Sequence, residues 1–350
     1  MRIGIDARNA ASAGGIGRYT FDLVRSLGRY GTRHSYTAVV DRAQDTTWIP
    51  ATIKTLSVRG RVKRFLPVIW EHGYFPSRLR SQGFDLMHFP HLNVPLTYYQ
   101  PFVTTAHDIS IYTHPEWFAP GQWWSKMFVV PGSIKRAQQI LAISPDVASR
   151  IRSRFHVDPR RLSIIPNGVD VTRFVPAAHP TRDYLLYVGS AAPYKNVPLL
   201  NAIIEQAGIR CVVVGAAAID FRRALRGRTV SAHFSFTPRL EFGSAQLVAL
   251  YQNARGLLQP SIDESFALPI LESLACGTPV IAADIPSLRA VYGEVIRYAS
   301  LDDVGRWLDW IRQLPVDHQP TSQTQQTLVT EHSWSALVGR LETLYSSVAP

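Results

Sequence analysis

Short apolar runs alternate with amphipathic helical stretches along the whole chain, and this alternation constrains the fold more than any other feature. The first run, RIGIDAR, is joined by the glycine-rich loop ASAGGIGRY to the helical stretch TFDLVRSLGRY. Strands that alternate with helices form a mostly parallel sheet, whose ligands bind beyond the carboxyl ends of the strands. The sequence therefore predicts the α/β fold class. The other strand-like runs are YTAVVD, FDLMHF, FVTTAHD, QILAIS, LSIIP, YLLYVG, CVVVG, RGLLQP and PVIAAD.

The alternation is interrupted once, in NGVDVTRFVPAAHPTRD, where two prolines stand among few periodic apolar residues. Such a stretch is typical of a linker. We therefore predict a first domain over residues 1–172, a linker over 173–182 and a second domain over 183–350. The last helical stretch, SWSALVGRLETLYSSV, is a candidate to pack back on the first domain.

The positive charge is confined to one half of the chain. Residues 1–172 hold 22 Lys and Arg against 11 Asp and Glu, whereas residues 173–350 hold 15 against 15. A basic half joined to a neutral one suggests different partners for the two domains. The basic half is expected to face an anion: nucleic acid, an acidic sugar or the inner leaflet of a membrane.

Several classes of protein are disfavoured by what the chain lacks. No apolar run approaches the ~18 residues that span a bilayer, and the first residues, MRIGIDAR, are charged where a signal peptide is apolar, so we expect a cytoplasmic protein. Cys211 and Cys276 stand apart without metal-ligand spacing. We expect two buried thiols, without a disulfide or a zinc site.

Gly14, Gly15 and Gly17 lie in the loop between the first strand and the first helix. Such a loop lets backbone N–H groups approach an anion, so a phosphate is one candidate ligand. One alternative is a dinucleotide, because Asp41 ends the second strand where a ribose-binding acid would stand, and the other is a tight turn that binds no ligand. Thr20 occupies the third glycine position of that fingerprint, so the match is incomplete.

Two glutamates, Glu264 and Glu272, lie eight residues apart in PSIDESFALPILESLACGTPVIAAD. Glu264 precedes a predicted helix that begins near Leu268, and Glu272 lies inside it. Carboxylates beside a helix amino terminus can accept hydrogen bonds from sugar hydroxyls. The spacing alone is equally consistent with acidic residues that complement the helix dipole.

The motifs together resemble the retaining glycosyltransferases of family four. IGIDAR with GGIGRY, TAHDIS with HPEWF, LAIS, IPNGVD, YVGSAAPYKN, the E-x7-E block and the terminal HSW…LY helix occur in the order and spacing typical of that family. The resemblance covers the whole chain. It implies the GT-B fold, in which two Rossmann-like domains face each other across a cleft.

The resemblance also assigns roles to individual residues of the second domain. Glu272 is expected to bind the nucleotide ribose and Glu264 to contact the donor sugar near the reacting carbon. Lys195 is expected to neutralise the diphosphate, on which negative charge grows as it leaves. Backbone N–H groups of four residues would meet sugar and phosphate. These four are Ser265, Phe266, Ala267 and Leu268.

In the first domain, the resemblance implies that Gly14, Gly15 and Gly17 cover the diphosphate and that His107 touches the donor sugar beside the acceptor oxygen. A structural histidine at a strand end is the alternative for His107. Family members usually carry an arginine at one of two positions that hold Ser190 and Tyr194 here. Either another cation such as Arg18 or Arg239 substitutes, or diphosphate binding is weaker than usual.

The expected reaction follows from the same resemblance. It is transfer of a hexose with retention, favouring mannose from GDP-mannose, onto a lipid-linked oligosaccharide or polysaccharide precursor. No Asp-x-Asp motif occurs, so we expect neither a metal ion nor another cofactor. The alternatives are a UDP-sugar transferase of the same fold, an NAD-dependent oxidoreductase and a non-catalytic sugar-nucleotide-binding protein.

The basic half contains a candidate membrane surface. Cations at Arg59, Arg61, Lys63 and Arg64 precede the apolar run that contains Trp70. Such a segment suits the interface of an anionic leaflet. A solvated basic face and RNA binding are the alternatives, and no nucleic-acid motif accompanies the charge. A second aromatic stretch, with Trp123 and Trp124, is either core or an apolar flap for a lipid-linked acceptor. We therefore expect a peripheral protein of the inner membrane face, and the sequence leaves its oligomeric state open.

Overall fold

The chain forms two compact units in the computed structural model. The structure describes residues 1–348 except 11, 13, 59–66, 118–119, 238–239 and 316–320, with the backbone alone at 67 and 120–126. The first unit comprises Met1–Gly168 together with Trp334–Pro350, and the second comprises Val169–Ser333. The units divide a few residues before the predicted linker, and the last helix belongs to the first unit.

The first unit is built on a parallel sheet of seven strands in the order β3-β2-β1-β4-β5-β6-β7. Its central strands β4, β5 and β6 are buried along their whole length because helices cover both faces. The strands are β1 Arg2–Asp6, β2 Ser35–Asp41, β3 Lys54–Val58, β4 Leu86–Phe89, β5 Phe102–Ala106, β6 Gln139–Ala142 and β7 Leu162–Ile164. The helices are Gly15–Tyr30, Pro67–Ile69, the π-helical turn Trp70–Tyr74, Phe75–Arg80, Ser110–Thr113, Pro120–Arg136, Pro145–Phe155 and Trp334–Val348, with 3-10 turns at Pro115–Trp117 and Pro159–Arg161.

The last helix, Trp334–Val348, is held in the first unit by apolar and polar contacts. Its residues Leu337, Leu341 and Tyr345 are fully buried in one core with the first helix and strand β1. Glu342, also buried, accepts hydrogen bonds through one oxygen, Oε1. The donors are the backbone N–H groups of Thr32 and Arg33 and the hydroxyl of Tyr36, each at 2.8 Å.

The second unit repeats the design with a parallel sheet of six strands in the order β10-β9-β8-β11-β12-β13. The strands are β8 Tyr184–Val188, β9 Cys211–Val214, β10 Phe234–Thr237, β11 Ala254–Gln259, β12 Val280–Ala283 and β13 Arg297–Ala299. The helices are Val197–Ala207, Ala218–Leu225, Ala245–Asn253, Leu268–Ala275, Pro286–Tyr292, Val304–Arg312 and Gln323–Glu331, with a 3-10 turn at Pro193–Lys195.

The predicted α/β class with two parallel-sheet, Rossmann-like domains is confirmed. Both cysteines are buried free thiols, as expected. In the part of the chain that the structure describes, no helix is long and apolar enough to cross a membrane.

Candidate active site

The loops that follow β8 and β11 are tied together in the second unit. Asn196, in the left-handed region at φ 53°, ends the turn Pro193–Lys195, and its side chain caps the helix Val197–Ala207. The backbone N–H of Ile262, in the loop after β11, donates to the carbonyl oxygen of Tyr194 at 2.8 Å. Because both loops leave the carboxyl ends of adjacent parallel strands, this bond brings Lys195 beside the segment that contains Glu264.

Lys195 and Glu264 form a buried ion pair. Lys195 Nζ lies 2.6 Å from Glu264 Oε1, and the two side chains are only 12% and 8% exposed. Oε1 also accepts hydrogen bonds from Gln259 Nε2 at 2.6 Å and Ser261 Oγ at 2.7 Å. Burial alone would lower the pKa of Lys195, but the adjacent carboxylate raises it above its usual value, so Lys195 is cationic at neutral pH.

Each member of the pair retains hydrogen-bonding capacity. Within the described residues, Glu264 Oε2 accepts no hydrogen bond, and only one of the three N–H donors of Lys195 is engaged. A polyhydroxylated ligand can donate to Oε2, and an anionic oxygen can accept from Nζ. The pair can therefore bind a sugar and a phosphate together.

The helix Leu268–Ala275 begins at a strained residue. Ala267 adopts a left-handed conformation with φ 59°, which costs a residue with a Cβ roughly 1–2 kcal/mol. Tyr292 holds the loop in this conformation. The buried Phe266 ring packs on the Tyr292 ring, and the Tyr292 hydroxyl donates to the carbonyl oxygens of Phe266 and Ala267 at 2.9 and 3.1 Å. Ser265 and Leu268 on either side are half-buried. The first N–H groups of a helix have no partner within it, so this end suits an anion or hydroxyl.

Glu272 lies in the same helix and is almost completely buried, at 6% exposure. The hydroxyl of Tyr251 donates to its Oε2 at 2.7 Å. This bond orients the carboxylate, so the predicted pair of glutamates consists of one held by a cation and one held by a tyrosine hydroxyl.

In the first unit, the glycine loop leads from β1 into the helix Gly15–Tyr30. Gly14, with φ 101°, precedes the helix in a conformation that favours glycine. A side chain at Gly17 would collide with the carbonyl oxygens of Ser12 and Asn9. Apart from the adjoining residues and the backbone of the helix itself, no heavy atom of the described residues lies within 4 Å of a Cβ built at Gly14 or Gly15, so this part of the loop presents open backbone.

His107 follows β5 at the same edge of the sheet and lies beside the first helix. Its ring contacts the Tyr19 ring edge-on, with 4.7 Å between centroids. Nε2 donates to the Pro90 carbonyl oxygen at 3.1 Å. Burial lowers the pKa of His107 to about 4, so the ring is neutral at pH 7 with the proton on Nε2. Nδ1 then carries a lone pair, with no hydrogen-bond donor to it from the described residues.

Sequence reasoning missed a second polar cluster at this edge. Arg8 donates to both oxygens of the fully buried Asp6 at 2.7 Å and to Glu71 at 2.9 and 3.0 Å. His91 contacts Asp6 Oδ2 through Nε2 at 3.2 Å. Burial alone would raise the pKa of Asp6, but Arg8 and His91 lower it well below its usual range. The sequence feature that could have revealed this cluster is the pair of opposite charges, Asp6 and Arg8, where the IDAR strand ends. Glu71, 63 residues away from Arg8, could not be paired from sequence.

Several expected site residues receive no structural assignment. Arg59, Arg61, Lys63, Arg64 and Arg239 lie outside the described residues, and Trp123 and Trp124 lie in the helix Pro120–Arg136 with their side chains undescribed. Arg18, a candidate substitute for the family arginine, is buried and donates to Asp22 at 2.5 Å on its own helix.

The expectation that Trp70 contributes to an interfacial surface is wrong. Trp70 is fully buried, with its ring stacked on Phe75 and the Arg8 guanidinium 5.2 Å from its centroid. Among the residues described, no group of three or more His, Cys, Asp or Glu side chains could hold a metal ion.

Known family models match both units of the chain. Residues 13–173 match the model described as Glycosyltransferase Family 4, and residues 169–296 match Glycosyl transferases group 1. The chain is a family-four glycosyltransferase. The family resemblance inferred from the motifs is thus confirmed, and the match favours a transferase over the dinucleotide interpretation of the glycine loop.

The relatives are distant in sequence. The O-antigen chain mannosyltransferase RfbU of Salmonella typhimurium is 27% identical over 269 residues, which cover 74% of each chain. The D-inositol 3-phosphate glycosyltransferase of Mycolicibacterium smegmatis is 27% identical over 235 residues, covering 61% of this chain and 54% of that one. The structure of Anabaena Alr3699/HepE in complex with UDP and glucose is similar in fold, with a TM-score of 0.72, 15% identity and 99% of each chain covered.

Proposed function

We propose that this glycosyltransferase moves a hexose, namely mannose from GDP-mannose, onto a lipid-linked oligosaccharide or polysaccharide precursor with retention of anomeric configuration. The observation that carries the proposal is the buried pair of Lys195 and Glu264, which offers a cation to a diphosphate and a carboxylate oxygen to a sugar. Similarity to an O-antigen chain mannosyltransferase supports mannose as the sugar.

The second unit supplies the donor site in this proposal. Lys195 binds the diphosphate, whose negative charge increases as it leaves the sugar. Glu264 Oε2 accepts from a sugar hydroxyl, and Glu272, oriented by Tyr251, accepts from the ribose. Backbone N–H groups around Ala267 meet the phosphate or sugar at the helix amino terminus.

The first unit supplies His107 and the glycine loop. His107 is neutral and offers Nδ1 as an acceptor to a hydroxyl of the donor sugar beside the acceptor oxygen. We propose that the open backbone at Gly14 and Gly15 offers N–H groups to a phosphate, and Gly17 keeps the loop closely folded.

The reaction needs no protein nucleophile. The acceptor hydroxyl approaches the anomeric carbon on the face from which the diphosphate departs. The bond from that carbon to the phosphate oxygen breaks, a bond to the acceptor oxygen forms, and the departing phosphate oxygen takes the acceptor proton. Lys195 supplies the positive charge that a metal ion provides elsewhere, so we propose metal-independent transfer, and activity is expected to survive addition of a chelator.

Because the proposed acceptor is lipid-linked, we propose that the reaction takes place at the cytoplasmic face of the membrane and that the chain binds there peripherally. The basic first half, with its balance of 22 cations to 11 anions, is suited to an anionic surface.

The donor nucleotide is tested by thermal unfolding with GDP, UDP, ADP and TDP, because a ligand that binds only the folded chain raises its melting temperature. We expect a rise with GDP that the Lys195→Ala variant loses. A rise with UDP alone would retain the enzyme class and change the donor, as the similarity to a protein that binds UDP and glucose would suggest. Absence of any rise at millimolar nucleotide would contradict the proposed donor site.

A further inference from the structure

Large exposed apolar side chains gather in one part of the first unit. Half of the ten that the described residues contain lie on three chain segments of this unit. We call these five residues the apolar patch. They are Val68, Ile69, Leu96, Tyr99 and Phe128, with exposures of 71%, 59%, 37%, 76% and 69%.

The first two segments of the patch are hydrogen-bonded to each other. The backbone N–H of Leu96 donates to His72 Nδ1 at 3.1 Å, and the hydroxyl of Thr97 donates to the His72 carbonyl oxygen. Val68 precedes His72 by one helical turn, so the exposed Val68 and Ile69 lie on the helix end that Leu96 adjoins.

The third segment adjoins Leu96 and Tyr99 from another side. A Cβ built at Gly132 would lie 2.9 Å from Leu96 Cδ2, and Phe128 stands one turn before Gly132 on the same helix face. One turn further, the Arg136 guanidinium lies 5.7 Å from the Tyr99 ring centroid and donates to the Tyr98 carbonyl. The three segments that carry the five exposed side chains therefore adjoin one another.

Basic side chains accompany the patch. Arg80 donates to the Thr97 carbonyl oxygen at 3.4 Å, and Lys135 is exposed next to Arg136. In the sequence, the four cations of residues 59–64 precede Val68 by four to nine positions. Two copies paired through this patch would bring their cations together, which opposes self-association. Exposed apolar groups accompanied by cations complement the interface of an anionic bilayer.

We propose that the apolar patch inserts into the interface of an anionic membrane, with Arg80 and Lys135 at the headgroups. The biological meaning of this contact rests on the proposed lipid-linked acceptor, but the contact itself is measured without any acceptor. The anchoring residues thereby include Leu96 and Tyr99, which stand far from the basic segment in sequence.

The test is co-sedimentation of the full chain with vesicles of phosphatidylglycerol and phosphatidylethanolamine, compared with pure phosphatidylcholine. We expect preferential binding to the anionic vesicles that weakens with salt. Combining Val68→Ser, Ile69→Ser and Phe128→Ser should lower the partition coefficient about tenfold or more, because three apolar side chains lose their transfer into the interface. The matched control is Ile219→Ser, an exposed apolar residue of the second unit at 50% exposure, which should leave binding unchanged.

If the triple variant does not fold, the single change Tyr99→Ser provides the same comparison with a smaller expected loss. Undiminished vesicle binding by the folded variants would overturn the proposal. Equal binding to neutral vesicles would remove the role of charge. A dimer of the unaltered chain in lipid-free sedimentation that the patch variants dissociate would identify a second copy as the occupant instead.

Melting-temperature shifts with GDP separate this proposal from the proposed function. Patch variants should keep the GDP shift of the unaltered chain, because they lie outside the donor site. If vesicle binding depends on the apolar patch but no nucleoside diphosphate binds, the proposed membrane contact is retained and the proposed function is rejected. If the chain binds nucleotide and transfers sugar but its vesicle binding does not depend on the apolar patch, the proposed function is retained and the proposed membrane contact is rejected.

Discussion

Removal of the cation at Lys195 should affect both stability and turnover. The substitution Lys195→Met leaves the Glu264 carboxylate buried, with only the hydrogen bonds from Gln259 and Ser261 to stabilise it. Removing one partner of a buried ion pair lowers the free energy of unfolding by about 3–5 kcal/mol. Because both side chains of this pair are slightly exposed, we expect the lower end of that range, about 3 kcal/mol. Loss of one preorganised charge-stabilising group should lower kcat roughly 100- to 1,000-fold.

The assay is a double-mutant cycle with Glu264→Gln, which keeps the shape of the side chain and removes its charge. Urea unfolding gives the coupling free energy, and we expect about 2 kcal/mol, because the double variant no longer contains an unpaired buried charge. The control is Arg289→Met. Arg289 pairs with Asp284 at 2.5 Å, but both side chains are about half exposed, so solvent should screen the effect.

Two results would refute the reasoning. Additive effects of Lys195→Met and Glu264→Gln on the free energy of unfolding would show that the two charges do not stabilise each other. A wild-type kcat in Lys195→Met, with stability reduced as expected, would show that the lysine holds the loops together without assisting the departure of the diphosphate.

Three further predictions concern other contacts. Glu272→Gln and Tyr251→Phe should raise the donor KM with little change in kcat, whereas Glu264→Ala should mainly lower kcat; equal, small effects would reject these roles in steady-state kinetics. Glu342→Ala should cost about 2 kcal/mol in urea unfolding, because the buried Tyr36 hydroxyl and two partly buried backbone N–H groups lose a shared acceptor. Glu331→Ala, on an exposed helix end, should cost little, and similar losses would contradict this. Burial lowers the pKa of His107 to about 4, so the unfolded chain takes up a proton at this histidine first as pH falls below about 6.5. The contribution of His107 to the unfolding free energy should therefore fall by about 2 kcal/mol between pH 7 and about pH 4.5, in addition to that of the buried His88. The total fall should be correspondingly smaller in a folded His107→Asn variant, and identical pH profiles would contradict this.

Three strands of the structure were not predicted from apolar runs in the sequence, and they share one physical property. β3, β10 and β13 each lie at the edge of a sheet, with a neighbour on one side only. Two of them are largely accessible along their length, and β13 spans only three residues. The buried central strands need apolar residues on both faces, so their sequences are recognisable, whereas edge strands have no such requirement.

The arrangement of the candidate site was predictable where its residues are close in sequence or belong to a family motif. The loop before Leu268 and the positions of Glu264 and Glu272 follow from one continuous segment. Other contacts join residues that are distant in sequence. Arg8 pairs with Glu71, 63 positions away, and the Tyr36 hydroxyl donates to Glu342, 306 positions away. Only the folded chain brings these residues together. The burial of Trp70 likewise depends on its stacking on Phe75 and on Arg8, which its apolar neighbours in sequence did not indicate.

The central claim is transfer of mannose from GDP-mannose with retention. The most direct measurement incubates the full chain with GDP-mannose and lipid-linked oligosaccharide extracted from bacterial membranes, then determines GDP release and the anomeric configuration of the new linkage by NMR. The account predicts acceptor-dependent GDP release, an α-linked mannose from the α-linked donor, and loss of both in Lys195→Met. A β-linked product, or no acceptor-dependent release of GDP from GDP-mannose, would contradict it.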